Sequence, residues 1–324
     1  MTRLLRRNGW VVGLSALFLA LLIFTKAIQP GFGVSGLESL ARAALPFAFA
    51  TTGMAIVVIA GGIDLSIASV MAVASVFAAT LMQRYTGGAT FWVVPLVLLA
   101  GAAMGAINGF LIVLTRVPDI VVTLAMLFVW EGTALLILNA PGGAADPTLR
   151  GLILGSLAIP GLPPALTAWL PNALVILAFL VALVWLPIRR SKLGLSIYAL
   201  GSDRTAAFRS GVAIGPVRVA AYALAGLFAA MGGLSVTMST GIGEPIPGPY
   251  LMVSVAAVVL GGVALTGGQG GLLGPIIAVF ILRLVRLDLT LLSVDPNVTT
   301  IVEGTIMAAV VMFGGLLSLR EKRR

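Results

Sequence analysis

Of the 324 residues, 60% are hydrophobic and only 10% are charged, too little charge to cover a soluble domain of this size. With no cysteine and no histidine, disulfides, thiolate chemistry and the commonest metal ligands are excluded, so neither metal nor cofactor is expected. The net charge of +9 reads as Lys and Arg retained in cytoplasmic loops of a membrane protein, not as a nucleic-acid footprint.

In chain order, Arg3, Arg6 and Arg7 precede the first apolar run, and no Ala-x-Ala-like cleavage site follows in LLIFTKAIQPGF. Residues 9–28 therefore read as an uncleaved first span. Further spans are expected near 46–60, 64–83, 91–114, 118–138, 168–187, 216–240, 251–266, 271–287 and 298–318. The expected fold class is an all-α polytopic membrane protein, a single transmembrane domain over residues 1–324 with about ten transmembrane helices, some interrupted. Ten spans leave both termini on one side. Fourteen of the 20 Lys and Arg fall on that side and six on the other, which predicts cytoplasmic termini. The Pro- and Gly-rich loop at about 139–167 then lies outside, and the basic loop at about 188–218 lies inside.

Between Arg42 and Arg84 the chain carries a single formal charge, Asp64, in the stretch IAGGIDLSIAS. Gly61 and Gly62 weaken helix there and let the chain break between two spans. Asp64 then falls at the start of the next helix, with Ser66 beside it, where a carboxylate can accept orphan backbone N–H groups. A charge within a membrane also tends to face protein or a water-filled path. The residues alone leave both roles open.

In the inner loop, Ser202 or Asp203 can cap a short helix over Arg204 to Ser210, and Gly211 can end it. Such an element suits docking of a partner, although a solvated basic linker accounts for the same residues. The stretch VVLGGVALTGGQGGLLGPIIAV echoes VVIAGGIDLSIASVMAV and supplies a second glycine motif: Gly261, Gly262, Gly267, Gly268, Gly270 and Gly271. The lysines are Lys26, Lys192 and Lys322, and none sits in a Gly-x-x-x-x-Gly-Lys-Ser/Thr loop. The chain is not expected to hydrolyse a nucleotide itself.

GGIDLSIAS resembles the Gly-Gly-Ile-Asp-Leu-Ser-Val-Gly-Ser signature of the permease subunits of ribose-, xylose- and galactose-type sugar importers of the ATP-binding cassette class. LGLSIYALGSDRTAAFRSGV and AAVVLGGVALTGGQGGLLGPIIA resemble two further stretches of that family in the same order, so the resemblance covers about residues 10–318. It implies a translocation path for a small sugar or polyol in a bacterial inner membrane. It also implies a second permease subunit, identical or paralogous, a separate ATP-binding cassette subunit on the inner loop, and a periplasmic binding protein outside. By this likeness Ser202, Asp203, Ala206, Ala207, Ser210 and Gly211 belong to the coupling helix, with small residues needed at Ala206 and Ala207. Gly61, Gly62, Asp64 and Ser66 belong to the interrupted-helix motif. The rivals are a branched-chain amino acid-type permease, which GGIDLS disfavours, and a ten-span secondary carrier of the drug/metabolite type, which needs no docking helix.

The chain departs from that family's pattern at Ala68 and at Leu251, Met252 and Val253, where an acidic pair is often found, and at Glu131, where Arg is usual. Arg283 and Arg286 also replace uncharged residues. Glu131 and Arg283 each lie about 18 Å into a span that starts on the inside, at 1.5 Å per residue. That matched depth suits an intramembrane ion pair of Glu131 with Arg283 or Arg286, although arginines that snorkel outward and a Glu131 that lines an aqueous path alone account for the same residues.

Overall fold

The computed structural model describes residues 9–85, 87–157, 163 and 167–321. Arg3, Arg6, Arg7, Lys322, Arg323 and Arg324, which enter the charge count, lie outside the described residues, as do 158–162 and 164–166 of the loop near 139–167. Among the described residues the regular structure is helical, with no strand. The helices are α1 (Gly9–Ile28), α2 (Val34–Ile59), α3 (Ile67–Arg84), α4 (Val93–Thr115), α5 (Asp119–Ile137), α6 (Pro147–Ile153) and α7 (Asn172–Arg190). They continue as α8 (Lys192–Ser202), α9 (Arg204–Arg209), α10 (Ile214–Thr240), α11 (Tyr250–Leu260), α12 (Leu273–Leu291) and α13 (Pro296–Glu321). Seven of them, α1 to α5, α7 and α10, are long and apolar enough to cross a membrane. This is a polytopic α-helical membrane protein.

Helices α2, α3 and α10 form the centre of the bundle, with α11 and α12 against α2. Their side chains are mostly buried, whereas α1, α5 and α7 turn Leu19, Ile23, Phe128, Leu136, Phe179 and Leu183 outward. Such apolar faces suit lipid. Helix α10 runs along α4 through small residues. A Cβ on Gly105 would run into the Tyr222 carbonyl, one on Gly226 into the Gly101 carbonyl, and one on Gly109 would lie 2.8 Å from the Val219 Cα. Where lipid tails are as apolar as the side chains, such close backbone approach provides the packing that hydrophobicity cannot. On its other side α10 meets α3, with the buried Ser75 and Thr237 hydroxyls 2.9 Å apart.

Three predicted boundaries move. Helix α2 begins at Val34, twelve residues before the expected 46, and keeps Pro46 inside, so the Arg42 carbonyl lacks its usual donor. Helix α11 stops at Leu260 instead of 266 because the chain turns at Gly261–Gly262. The 188–218 loop contains a whole extra helix, α8.

Candidate functional site

The three sequence stretches singled out above meet at one end of the bundle. Helix α2 closes with Gly61 at φ +82°, the Gly61 N–H donating to the Val58 carbonyl and the Gly62 N–H to the Val57 carbonyl, both at 2.9 Å. Helix α11 closes in the same way. Gly262 sits at φ +81°, its N–H donates to the Val259 carbonyl at 3.0 Å, and the Val263 N–H donates to the Val258 carbonyl at 3.1 Å. The left-handed residue lets the chain turn back on the last carbonyls, which is why glycine stands there. The echo between the two stretches is thus a shared helix end, with Gly61 matching Gly262 and Val57-Val58 matching Val258-Val259.

Each break leaves one helix-end carbonyl to a distant partner. The Ile59 carbonyl accepts the Gly268 N–H at 2.8 Å, and the Leu260 carbonyl accepts the Trp10 indole at 2.8 Å. Helix α8 packs against the first break and against the glycine loop that follows the second. A Cβ on Gly201 would strike the Ile59 carbonyl, and one on Gly267 would lie 2.9 Å from the Gly61 Cα and 2.8 Å from the Gly201 carbonyl oxygen. The Tyr198 hydroxyl donates to the Gly270 carbonyl at 3.0 Å. Gly271 touches nothing within 4 Å of a Cβ position.

Asp64 is 1% exposed. One carboxylate oxygen accepts the Ser66 N–H at 2.9 Å and the Ser66 hydroxyl at 2.6 Å. It therefore closes an Asx turn before α3 and does not reach the first-turn N–H groups; Ser66, at the cap position, makes no side-chain cap bond. The network extends outward, Asn108 donating to the Ser66 hydroxyl at 2.7 Å and the Trp130 indole to the Asn108 carbonyl oxygen at 3.1 Å. Asp64 is tied in this way to α4 and α5.

A second polar chain runs from the basic loop to the same connector. Arg218, in the first turns of α10, pairs with Asp119 at 2.9 Å. The Tyr222 hydroxyl, one turn along the same face, donates to the other Asp119 oxygen at 2.8 Å and lies 3.3 Å from the Ile63 carbonyl. Thr123, one turn after Asp119, accepts the Leu65 N–H at 3.1 Å. A Cβ on Gly62 would lie 2.5 Å from the Asp119 carboxylate and 2.8 Å from the Tyr222 hydroxyl. Asn108, Asp119, Thr123, Trp130, Arg218 and Tyr222 were not expected as a group from the sequence. The i, i+4 spacing of Arg218 with Tyr222 and of Asp119 with Thr123 was the available signal.

In the loop, Asp203 and not Ser202 caps α9, accepting Thr205 N–H at 2.8 Å and Ala206 N–H at 2.9 Å. The Ser202 hydroxyl instead donates to the Tyr198 carbonyl. Past Ser210, Gly211 takes φ +82° and the Val212 N–H returns to the Ala207 carbonyl at 3.0 Å. Ala207 is 4% exposed and faces its own chain, so it is not part of an outward docking surface as expected. The outward face holds Ala206, Arg209 and Phe208, the last 71% exposed.

The expected ion pair of Glu131 with Arg283 or Arg286 does not form. Helix α5 packs on α3 and α4, while α12 packs on α1, α2 and α11, so equal depth does not make Glu131 a neighbour of α12. Arg286 pairs instead with Glu303 at 2.8 Å. The Arg283 guanidinium lies 4.5 Å above the centre of the Phe47 ring.

Residues 36–311 match the family described as branched-chain amino acid transport system / permease component. The ribose import permease protein RbsC of Escherichia coli K12 is 27% identical over 309 residues, 94% of both chains. The Haemophilus influenzae protein of the same name is 26% identical over 309 residues, again 94% of both. The autoinducer 2 import system permease protein LsrD of Escherichia coli K12 is 28% identical over 333 residues, 98% of this chain and 95% of the relative. No solved structure matches. With most of its length matched, the chain belongs to the branched-chain amino acid transport system / permease component family.

Proposed function

We propose that this chain is a permease subunit of an ATP-driven importer, forming the path for a small sugar or polyol through a bacterial inner membrane. The curated relatives named for ribose and autoinducer 2 import, similar over nearly the whole chain, favour this solute class over an amino acid. The whole chain acts as one transmembrane unit of ten spans, counting α11, α12 and α13 with the seven, and both termini are cytoplasmic. A separate cassette subunit docks on the outward face of α9, a delivery protein docks at the opposite end, and a second permease subunit completes the path.

The observation that carries this reading is the meeting of Gly61, Gly201 and Gly267 beside the Arg218–Asp119–Tyr222 chain. Force on α9 passes directly into α10, and through Arg218 and Tyr222 to Asp119 and the segment that holds Asp64. Movement of the docked ATPase thereby reaches the break between α2 and α3. The chain's own work is mechanical; the energy comes from the partner.

Reconstitution tests it. Proteoliposomes holding this chain and its genomic neighbours, a cassette protein and a secreted binding protein, should take up a sugar or polyol only with internal ATP. Uptake driven by an ion gradient without the cassette subunit would instead identify a secondary carrier.

A further inference from the structure

A cavity of about 790 Å³ opens at the far end of α2 from Gly61, lined by α2, α10, α11 and α12. Its volume lies in the range of small-molecule sites. Arg42, Arg283 and Arg286 all face it, from α2 and α12. Glu303 pairs with Arg286, so three positive charges and one negative leave an excess of two. Glu244 lines a smaller adjoining cavity of about 230 Å³ that shares Tyr250 and Thr240. Charge of one sign on apolar walls at membrane depth is costly unless it serves a ligand or a path.

Two polar atoms of the lining have no partner among the described residues, although both are fully buried: Nε of Arg283 and the Ser239 hydroxyl. A buried donor left unpaired is costly, and an acceptor carried by a bound solute would satisfy it. Guanidinium groups match carboxylate and phosphate oxygens in planar, bidentate geometry. Around them stand the hydroxyl-bearing side chains Ser35, Ser39, Thr240 and Tyr250. The Tyr250 ring lies 4.6 Å from that of Phe47, giving an aromatic wall for the apolar face of a sugar ring.

We propose that this cavity is a binding site for an anionic, polyhydroxylated solute, a sugar or polyol bearing a carboxylate or phosphate. Arg283 and Arg286 hold the anion, and Ser239 and Tyr250 hold its hydroxyls. The proposal rests on the importer reading and narrows its substrate class.

The test uses the purified importer complex in nanodiscs, with thermal stability and tryptophan emission followed during titration. D-gluconate or D-glucose 6-phosphate should produce a saturable shift that neutral D-glucitol and D-glucose do not. A shift with gluconate alone assigns a carboxylate, and one with the phosphate ester alone assigns a phosphate. Arg283→Gln should weaken binding roughly ten- to hundredfold, the worth of a hydrogen bond to a charged group. Ser239→Ala, which removes only an unpartnered hydroxyl, should weaken it severalfold without loss of stability. Glu303→Gln should tighten it severalfold by releasing Arg286, a gain that a purely structural ion pair would not give.

Equal shifts with neutral and anionic probes, no shift with any probe, or unchanged affinity in Arg283→Gln overturns the site. So does weaker or unchanged binding in Glu303→Gln. If the same preparation still hydrolyses ATP with its cassette subunit bound, the importer reading stands and only the anion site falls. A preparation that binds no cassette subunit sinks the importer reading instead.

Discussion

The Tyr222 hydroxyl donates to Asp119 at 2.8 Å, joining α10 to the first turn of α5 beside the connector that carries Asp64. Tyr222→Phe keeps the ring and removes the bond. A hydrogen bond to a charged group contributes about 1.5–3 kcal/mol, and Arg218 remains to hold the carboxylate. We expect a modest loss of thermal stability, normal membrane insertion, and uptake that no longer keeps pace with ATP hydrolysis. Uptake per ATP equal to that of the unaltered protein would refute a coupling role.

The Arg218–Asp119 pair is only 15% and 10% exposed on its two sides. Breaking a buried pair leaves a charge without compensation and costs about 3 kcal/mol. Arg218→Ala and Asp119→Ala should each destabilise by that order, and the double variant by clearly less than their sum. Unfolding in denaturing detergent measures all four corners of the cycle; strict additivity would show the two side chains to be independent.

Asp64→Asn retains an oxygen able to close the same Asx turn with Ser66. Its fold and transport should persist, whereas Asp64→Ala orphans the Ser66 N–H and hydroxyl and should destabilise by about 1–3 kcal/mol. A well-folded Asp64→Asn protein that carries no solute would mean that the charge itself is used.

Helix α9 distinguishes two neighbouring alanines. Ala207→Trp has no room in its own chain and should lower the yield of folded permease. Ala206→Trp, on the exposed side, should leave the permease intact and abolish co-purification of its cassette subunit. Retention of the cassette subunit by a folded Ala206→Trp protein would move the docking surface elsewhere.

Among the glycines, Gly201→Ala should abolish accumulation of the protein, since the added methyl meets the Ile59 carbonyl. Gly61→Ala should cost about 1–2 kcal/mol for its left-handed backbone, and Gly271→Ala should be silent because nothing lies near. Immunoblots of membrane fractions with melting curves rank the three; a destabilised Gly271→Ala would contradict the geometry.

What the sequence reveals here is local. The end of α2 at Gly61 and the start of α9 at Asp203 follow from single residues with strong backbone preferences. The beginning of α2 is hidden because Glu38 and Arg42 interrupt its apolar run; in the folded chain Glu38 accepts the Gly155 N–H at 2.8 Å and Arg42 faces the cavity. Helix α8 escapes notice because its buried residues, Ile197 and Leu200, are too few to make a periodic pattern. Partnerships between helices are harder still. Counting residues gives the height of Glu131 and Arg283 along the membrane normal but not which helix stands beside which, and so the pairing of Arg286 with Glu303 has no signature in the linear order.

The seam between α4 and α10 has a mechanical consequence. Where Gly101, Gly105 and Gly109 bring backbone against backbone, no side chain can change rotamer to accommodate a shift, and any rotation of one helix about the other opens a void or forces a collision. Sliding or rotation of one helix against the other is thereby disfavoured along this seam, and a displacement of one carries the other with it.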